Sequence, residues 1–573
     1  MRIFQILLLG LILHSLINTN SDDTPDFVPP LKIPISVSAN FGELRIDHFH
    51  SGLDIRTQGV TGQEVLAAAS GYVYRISVSP GGFGKALYIR HPSGYSTVYG
   101  HLDRFIPEIE EYVISRQYEE KSYMVNLWPP RDRFKFNQGD VIAYSGNSGS
   151  STGPHLHYEI RRSEQEIPVN PLLFDIGIKD NIRPVIEMLA IYPVDRNTLI
   201  NNTNKVLMIK ASGNNGKYII PSSNPVRIHG RAGFGLKSYD LQNGTSSRSS
   251  VYSIELKIDS APVFHYKMDS FSFDESRYVN CHIDYATYLK ENKYFERAYL
   301  LPNDKLSAYS SVINRGIYNF TDGKKHLIEL ILTDVFSNMS SLTFYAEAVP
   351  AAPEVKMEDH ENKFVVMPYN RNNKFTSRDV IVNIPSGTLY DTLFFDFGKS
   401  PGNSSTYSEI FQIHNRLTPV HKPYNLYIKP DRIEPGKKSK MLIVQLTEDN
   451  QKIAVGGRWE NDYLTANPAS FGNFYIGIDT TPPIISANGL RNGPDLSGRS
   501  EIRIKISDTF SGIKSYNPKI DNKWALFEYD QKNDMLIYRF DPGRIEKGKK
   551  HDLSLSVTDN RDNVSTLETQ FLW

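Results

Sequence analysis

One ordered set of segments occurs twice in this 573-residue chain, and it fixes what most of the chain can fold into. Asp180-Asn181-Ile182-Arg183-Pro184 runs into Val185-Ile186, and Asp479-Thr480-Thr481-Pro482-Pro483 runs into Ile484-Ile485. Val226-Arg227-Ile228 leads to Gly235-Leu236-Lys237-Ser238-Tyr239, and Ile502-Arg503-Ile504 leads to Gly512-Ile513-Lys514-Ser515-Tyr516. The closing strands recur too: His326 to Thr333 runs into Asp334 and Asn338, and His551 to Thr558 runs into Asp559 and Asn563. Two units with one order of strands predict tandem β-sandwiches of immunoglobulin-like type, at 180–349 and 479–573. The first carries a long insertion. Between them, after the linker Val349-Pro350-Ala351-Ala352-Pro353, a further β-rich domain is expected at 353–478. So long a chain exceeds one core, and its 33 Tyr and 29 Phe favour strands.

Arg2 and the apolar run from Ile3 to about Ile17 read as an export signal, with cleavage near Ser21. The run is shorter than the roughly 20 residues of a spanning helix; an uncleaved anchor is the alternative. No Cys follows it to accept a lipid, and no later segment is long and apolar enough to span a membrane. The expected location is therefore the periplasm or cell envelope, or outside the cell. Formal charge balances to zero, which excludes a global basic footprint for nucleic acid. Cys281 is the only cysteine, so no intrachain disulfide forms, and it reads as a buried apolar residue rather than a nucleophile.

Residues 30–175 differ in character. Lys85 to His91 and Tyr95 to His101 read as a hairpin around Pro92-Ser93-Gly94. Glu64 to Ala69 and Tyr72 to Val78 read as strands around Gly71, and Val141 to Tyr144 and His155 to Arg161 as two more. An insertion at 104–136 interrupts them; Ile106, Ile109 and Val113 recur at helical spacing, with Pro107 placed for a helix start. It could roof a groove, restrict substrates or hold an enzyme inactive, or simply pack at the rim.

Of 15 His residues, six fall between His48 and His157. His50 and Asp54 are four apart, and His155 and His157 are two apart on a strand, so the latter share a face opposite Leu156, Tyr158 and Ile160. His101 ends another strand. A catalytic zinc needs three protein ligands and one open position. His50, Asp54 and His157 could be those ligands, leaving His101 and His155 to take a proton from zinc-acidified water and to donate to a developing oxyanion. No His-Glu-x-x-His helix is present.

Phe49-His50-Ser51-Gly52-Leu53-Asp54-Ile55, Val65 to Val73, Gly82-Phe83-Gly84-Lys85, Tyr99-Gly100-His101-Leu102, Gly139 to Ala143 and Gly146 to Glu159 together resemble the lysostaphin/LytM-type zinc metallopeptidases of bacterial cell-wall hydrolases. The resemblance covers roughly residues 41–161. It implies an antiparallel sheet of duplicated hybrid motif type with a groove, one zinc held by His50, Asp54 and His157, and catalytic imidazoles His101 and His155. It also implies peptidoglycan peptides as substrates, Gly- or D-Ala-containing, with Gly146 to Gly153 as part of the groove rim. Some members have lost ligands and act as activators; here all five residues are present.

The expected function is zinc endopeptidase action on peptidoglycan cross-links or stem peptides. The alternatives are a non-catalytic wall-binding scaffold or activator, and an endopeptidase of extracellular Gly-rich proteins. The C-terminal β domains are expected to give spacing or to dock a protein partner. His48 reads as structural, His91 as solvated in a turn, and the remaining His as scattered without ligand spacing. Asp334, Asp508 and Asp559 read as loop caps, with calcium as an alternative there although the sequence shows no dense oxygen-ligand cluster.

Overall fold

The computed structural model describes residues 25–221, 224–350, 364–490 and 493–573. The export segment read at 1–21 and His360 lie outside them. The protein is built almost wholly of β-strands, with one long helix, Pro107–Glu120.

The N-terminal part forms an eleven-stranded antiparallel sheet whose main path runs Val37–Ala39, Leu53–Arg56, His155–Arg162, Tyr95–Phe105, Lys85–Arg90, Gly71–Val78, Val125–Leu127. Alternation sets its register. Leu156, Tyr158 and Ile160 are fully buried on one face of His155–Arg162, each contributing roughly 1.5–3 kcal/mol by leaving water. A one-residue slip would put His155 and His157 in their place. Lys85–Arg90 and Tyr95–Phe105 pair around Pro92-Ser93-Gly94, as the turn signal implies. Glu64–Leu66 and Gly71–Val78 are both strands but do not form a hairpin. Glu64–Leu66 pairs instead with Val141–Ser145, because Ala67 N–H donates to Asp140 O at 2.9 Å and draws the chain across.

The helix begins with Pro107 at its first position, buries Ile109 and Val113, and ends at Lys121 in the left-handed region. The chain then adds Val125–Leu127 to the edge of Gly71–Val78. The segment thus lengthens the sheet at the edge opposite Val37–Ala39.

The two repeats are built alike with one difference. In the second, Glu501–Ser507 and Ile513–Ile520 lie in separate four-stranded sheets that share one core. In the first, the matching path is the single strand Val226–Tyr239, which bends at Gly230 (φ 87°) and serves both halves of a thirteen-stranded sheet. The likeness reaches side chains: His326 Nδ1 meets Asp259 at 2.7 Å, and His551 Nδ1 meets Asp521 at 2.7 Å. Between the repeats, two five-stranded sheets pack around Val380, Phe411, Ile443 and Phe474.

These units close into a ring. Phe41 and Phe49, from the N-terminal sheet, sit in the core of the first repeat, against Phe271 at 5.3 and 5.6 Å. The middle unit docks on the first repeat through Tyr390, whose hydroxyl donates to Arg277 O at 2.5 Å, and through His421, stacked on Tyr278 at 4.3 Å. Arg561 of the last repeat donates to Met441 O and Gly457 O of the middle unit at 3.0 and 3.2 Å. The last repeat returns to the N-terminal sheet: Trp524 meets Tyr118 at 5.3 Å, and Glu528 pairs with Lys85 at 3.5 Å.

His421 makes the seam between first repeat and middle unit sensitive to acid. Burial first, then Lys422, Arg277 and Lys305, push its pKa down to about 4, against about 6.5 when exposed. Between those values the unfolded chain binds the extra proton, so stability falls as pH drops from about 6.5 to about 4. The melting temperature should fall more steeply across that window in wild type than in His421→Leu, as read by calorimetry at stepped pH; parallel curves would rule this out.

Candidate metal and catalytic centre

Because alternate residues share a face, His155–Arg162 presents His155, His157, Glu159 and Arg161 to one side. Pairing with Leu53–Arg56 sets His157 opposite Asp54, and pairing with Tyr95–Phe105 sets it opposite Gly100, next to His101. His50 enters from the segment before Leu53. Asp54 Oδ1 lies 3.0 Å from His50 Nε2, 3.0 Å from His157 Nδ1 and 3.4 Å from His155 Nε2. His50 Nε2 and His157 Nδ1 are 3.1 Å apart.

The other nitrogen of each ring fixes which one faces inward. His50 Nδ1–H donates to Asn40 O at 2.7 Å, and His157 Nε2–H donates to Glu159 at 3.0 Å. Ligand atoms of His50, Asp54 and His157 therefore converge within 4.8 Å of one another. Burial alone would raise the Asp54 carboxyl; His50, then hydrogen bonds from His155, His157 and His50, hold it far below the usual carboxylate range. Burial would lower His157, but hydrogen bonds to Asp54 and Glu159 raise it to about 9. Glu159, wholly buried, is held down at about 2 by Arg161 first, then His157 and Ser51, against the opposing effect of burial.

His101 and His155 stand side by side, ring centres 4.7 Å apart. His101 adopts φ 59° and turns Nδ1–H to Ser148 O at 2.9 Å. Burial, then His157 and His155, lower it to about 3, so it is neutral at physiological pH. His155 Nδ1 lies 2.8 Å from Gly153 O and 3.1 Å from Ser151 Oγ. The loop that supplies these partners is braced against the turn at 79–84. Ser150 N–H donates to Gly82 O at 2.9 Å. Gly149 has φ 69°, and a Cβ there would fall 2.4 Å from Gly82 O and Gly84 N, so only glycine fits this approach. From the far end of the chain, Lys532 Nζ donates to Ser151 O at 3.1 Å and to Asn147 O.

All five residues singled out from the sequence thus meet in one place. Sequence reasoning missed Glu159 and Arg161, although the same period of two that pairs His155 with His157 continues to both. It assigned no role to Phe83, whose ring stacks on His157 at 4.6 Å although it lies in the Gly82-Phe83-Gly84-Lys85 block, or to Asn40, which no local pattern marks. His48 is exposed, bonded to Asp47, and stands outside the cluster. His91 is not solvated: it is buried, with Nδ1 on Ser70 O at 3.0 Å and Nε2 on Thr97 Oγ1 at 2.9 Å, because Gly71 lets the turn fold under it. Cys281 is buried, as expected. No helix among the described residues is long and apolar enough to cross a membrane.

A convergent two-imidazole, one-carboxylate cluster on an antiparallel sheet is compatible with a metal centre, and comparison with known proteins points to a metallopeptidase family. Residues 48–117 and 132–171 match the model of Peptidase family M23, and residues 365–479 match a Zu5-like domain. The match falls on the N-terminal unit and supports its resemblance to the lysostaphin/LytM-type peptidases. An uncharacterized metalloprotease of Haemophilus influenzae is 33% identical over 123 residues, 22% of this chain and 20% of its own length. The DD-carboxypeptidase/endopeptidase Mpg of Neisseria meningitidis is 36% identical over 123 residues, 22% of each chain. The chain thus spans about a fifth of the length of these curated relatives. Among solved structures, a mutant catalytic domain of the prophage-encoded protein EnpA of Enterococcus faecalis is 26% identical, covering 25% of this chain and 95% of that one, with TM-score 0.19.

Glu159 holds two buried groups at once, so truncation exposes the chain to an uncompensated charge. Glu159→Ala leaves the Arg161 guanidinium buried beside nothing of opposite sign except Glu166 at 3.2 Å. A loss of about 3–5 kcal/mol is expected by urea denaturation; a loss under 1 kcal/mol would contradict this account.

Proposed function

We propose that the protein is an exported zinc endopeptidase that hydrolyses short peptides of peptidoglycan. The single observation that carries this is the convergence of His50 Nε2, Asp54 Oδ1 and His157 Nδ1, with each imidazole's other nitrogen engaged by Asn40 or Glu159. That donor set, two imidazoles and one carboxylate with a side open toward His101 and His155, fits a tetrahedral catalytic zinc. Zinc held there would supply Lewis acidity, polarising a peptide carbonyl and acidifying water. The chain's own residues would do the rest. Asn40 and Glu159 orient the ligands and fix their tautomers. His101, neutral and with Nε2 free once Nδ1 is committed to Ser148, would accept a proton. His155, with Nδ1–H committed to Gly153 O, turns Nε2 toward Asp54, and from there it would donate to a developing oxyanion only as the imidazolium.

The substrate class rests on the family and on the rim. The glycine-braced loop from Gly146 to Gly153 brings backbone close to the centre and favours an extended peptide with small side chains. An open cavity of about 860 Å³, lined by Tyr74, Phe83, Tyr88, Arg90 and Arg161 among others, continues from Phe83 beside His157. The Neisseria relative's name, a DD-carboxypeptidase/endopeptidase, agrees with wall peptides as substrate. Export to the envelope follows from that substrate.

The test is metal content and wall digestion by the purified chain beside His157→Ala and His101→Ala. About one zinc per chain is expected in wild type and His101→Ala, less in His157→Ala, and digestion by wild type alone. Chelation should abolish digestion, and activity should fall below about pH 6, where imidazoles bind protons in competition with metal. Digestion that survives complete removal of metal would reject the proposal; zinc without digestion would redirect it to another peptide.

A further inference from the structure

The loops before the first strand and between the last two strands of each repeat gather carboxylates that are far apart in sequence. In the first repeat these are Asp180, Asp240 and Asp334; in the second, Asp479, Asp508 and Asp559. In each group the ligand oxygens lie within 4.8 Å of one another. The expectation that these aspartates merely cap loops is therefore incomplete, because Asp180 and Asp240 join Asp334 only through the fold.

In the second repeat the carboxylates are occupied by backbone donors, such as Gly512 N–H on Asp508 at 2.6 Å and Asn563 N–H on Asp559 at 2.9 Å. In the first repeat Asn338 likewise donates to both oxygens of Asp334, and Asp180 Oδ1 accepts from the N–H groups of Asn181, Ile182 and Asn243; the difference lies at Asp240 and at the other oxygen of Asp180. Asp240 is only 4% exposed, and its Oδ1 has no hydrogen-bond partner. Asp180 Oδ2 also has none. The charged groups that bear on Asp240 are Asp334 and Asp180, both of its own sign. A buried carboxylate oxygen without a partner, facing two further carboxylates, is costly unless a proton or a cation neutralises it.

We propose that Asp180, Asp240 and Asp334 bind a calcium ion at the seam between the peptidase unit and the first repeat. All donors are oxygens, which selects a hard cation. Calcium accepts roughly six to eight oxygens in flexible geometry, which loop carboxylates can meet more readily than the near-ideal octahedron magnesium demands. Backbone oxygens and water would complete the shell.

The place gives the ion a purpose. Val335 and Phe336, just after Asp334, and Ile178, just before Asp180, pack on the peptidase core. Asp240 O accepts from Ser249 N–H at 3.0 Å, Ser249 Oγ accepts from Asn40 Nδ2 at 2.9 Å, and Asn40 O holds His50 Nδ1. Gln242 Nε2 reaches Asn40 Oδ1 at 3.2 Å. Calcium would thus fix the segment that cradles the backbone orienting a peptidase ligand.

The test uses the full chain after EDTA treatment and zinc reloading, titrated with calcium chloride by calorimetry and in thermal melts, beside Asp240→Asn. The isosteric Asn removes like-charge repulsion, so this variant should fold and, without calcium, melt above wild type. Wild type should bind calcium and gain several degrees in melting temperature at millimolar calcium. Asp240→Asn should bind one ion fewer and show little of that gain. Failure of wild type to bind calcium at millimolar concentration, or equal stoichiometry and equal thermal gain in the variant, would overturn the site.

Discussion

The centre depends on one line of alternating charge through the strand His155–Arg162: Arg161, Glu159 and His157, then Asp54 across the sheet. Arg161 Nε meets Glu159 at 2.6 Å, Glu159 meets His157 at 3.0 Å, and His157 meets Asp54 at 3.0 Å. Glu159 is fully buried and His157 nearly so, so each charge requires the next. On the opposite face of the same strand, Leu156, Tyr158 and Ile160 fasten it to the core. The strand is therefore held in register by hydrophobic burial on one side and oriented by charge on the other. The imidazole of His157 gains a fixed tautomer without any loop having to hold it.

The remaining pieces are held by loops, and the loops are held by other parts of the chain. His50 depends on Asn40, whose side chain is gripped by Ser249 and Gln242 of the first repeat. The rim segment from Asn147 to Ser151 carries the carbonyl that positions His101, and Lys532 of the last repeat donates to that segment. The two repeats thus brace opposite sides of one site. The ring of contacts through the middle unit keeps the last repeat, hundreds of residues away in sequence, at the rim.

The grouping of the five candidate residues was legible because each sits in a short motif: a His four before an Asp, a His two before a His, and a His read as closing a strand that in fact runs on to Phe105. The β architecture was legible because the repeat shows its own boundaries. What was not legible came from long-range pairing. Glu64–Leu66 leaves its neighbour because of a hydrogen bond to Asp140. His91 is buried because the backbone at Ser70 folds over it. Asp240 lies far from Asp180 and Asp334 in sequence, and nothing in its own surroundings in the sequence marks it as their neighbour. Glu159 was the exception, since the period already used for His155 and His157 extends to it.

The merging of cores bears on how the peptidase unit can be regarded. Phe41 and Phe49 flank His50 in sequence yet are buried among first-repeat residues, with Phe49 N–H donating to Ser276 Oγ at 3.0 Å. Removing the first repeat would expose both rings, each worth roughly 1.5–3 kcal/mol of burial, on the segment that carries one of the proposed ligands. Global stability is only about 5–15 kcal/mol. An N-terminal unit that borrows support for His50 from the next unit is not an independent module with appended spacers. The β repeats brace the candidate centre, and the geometry at His50 is a property of the whole chain.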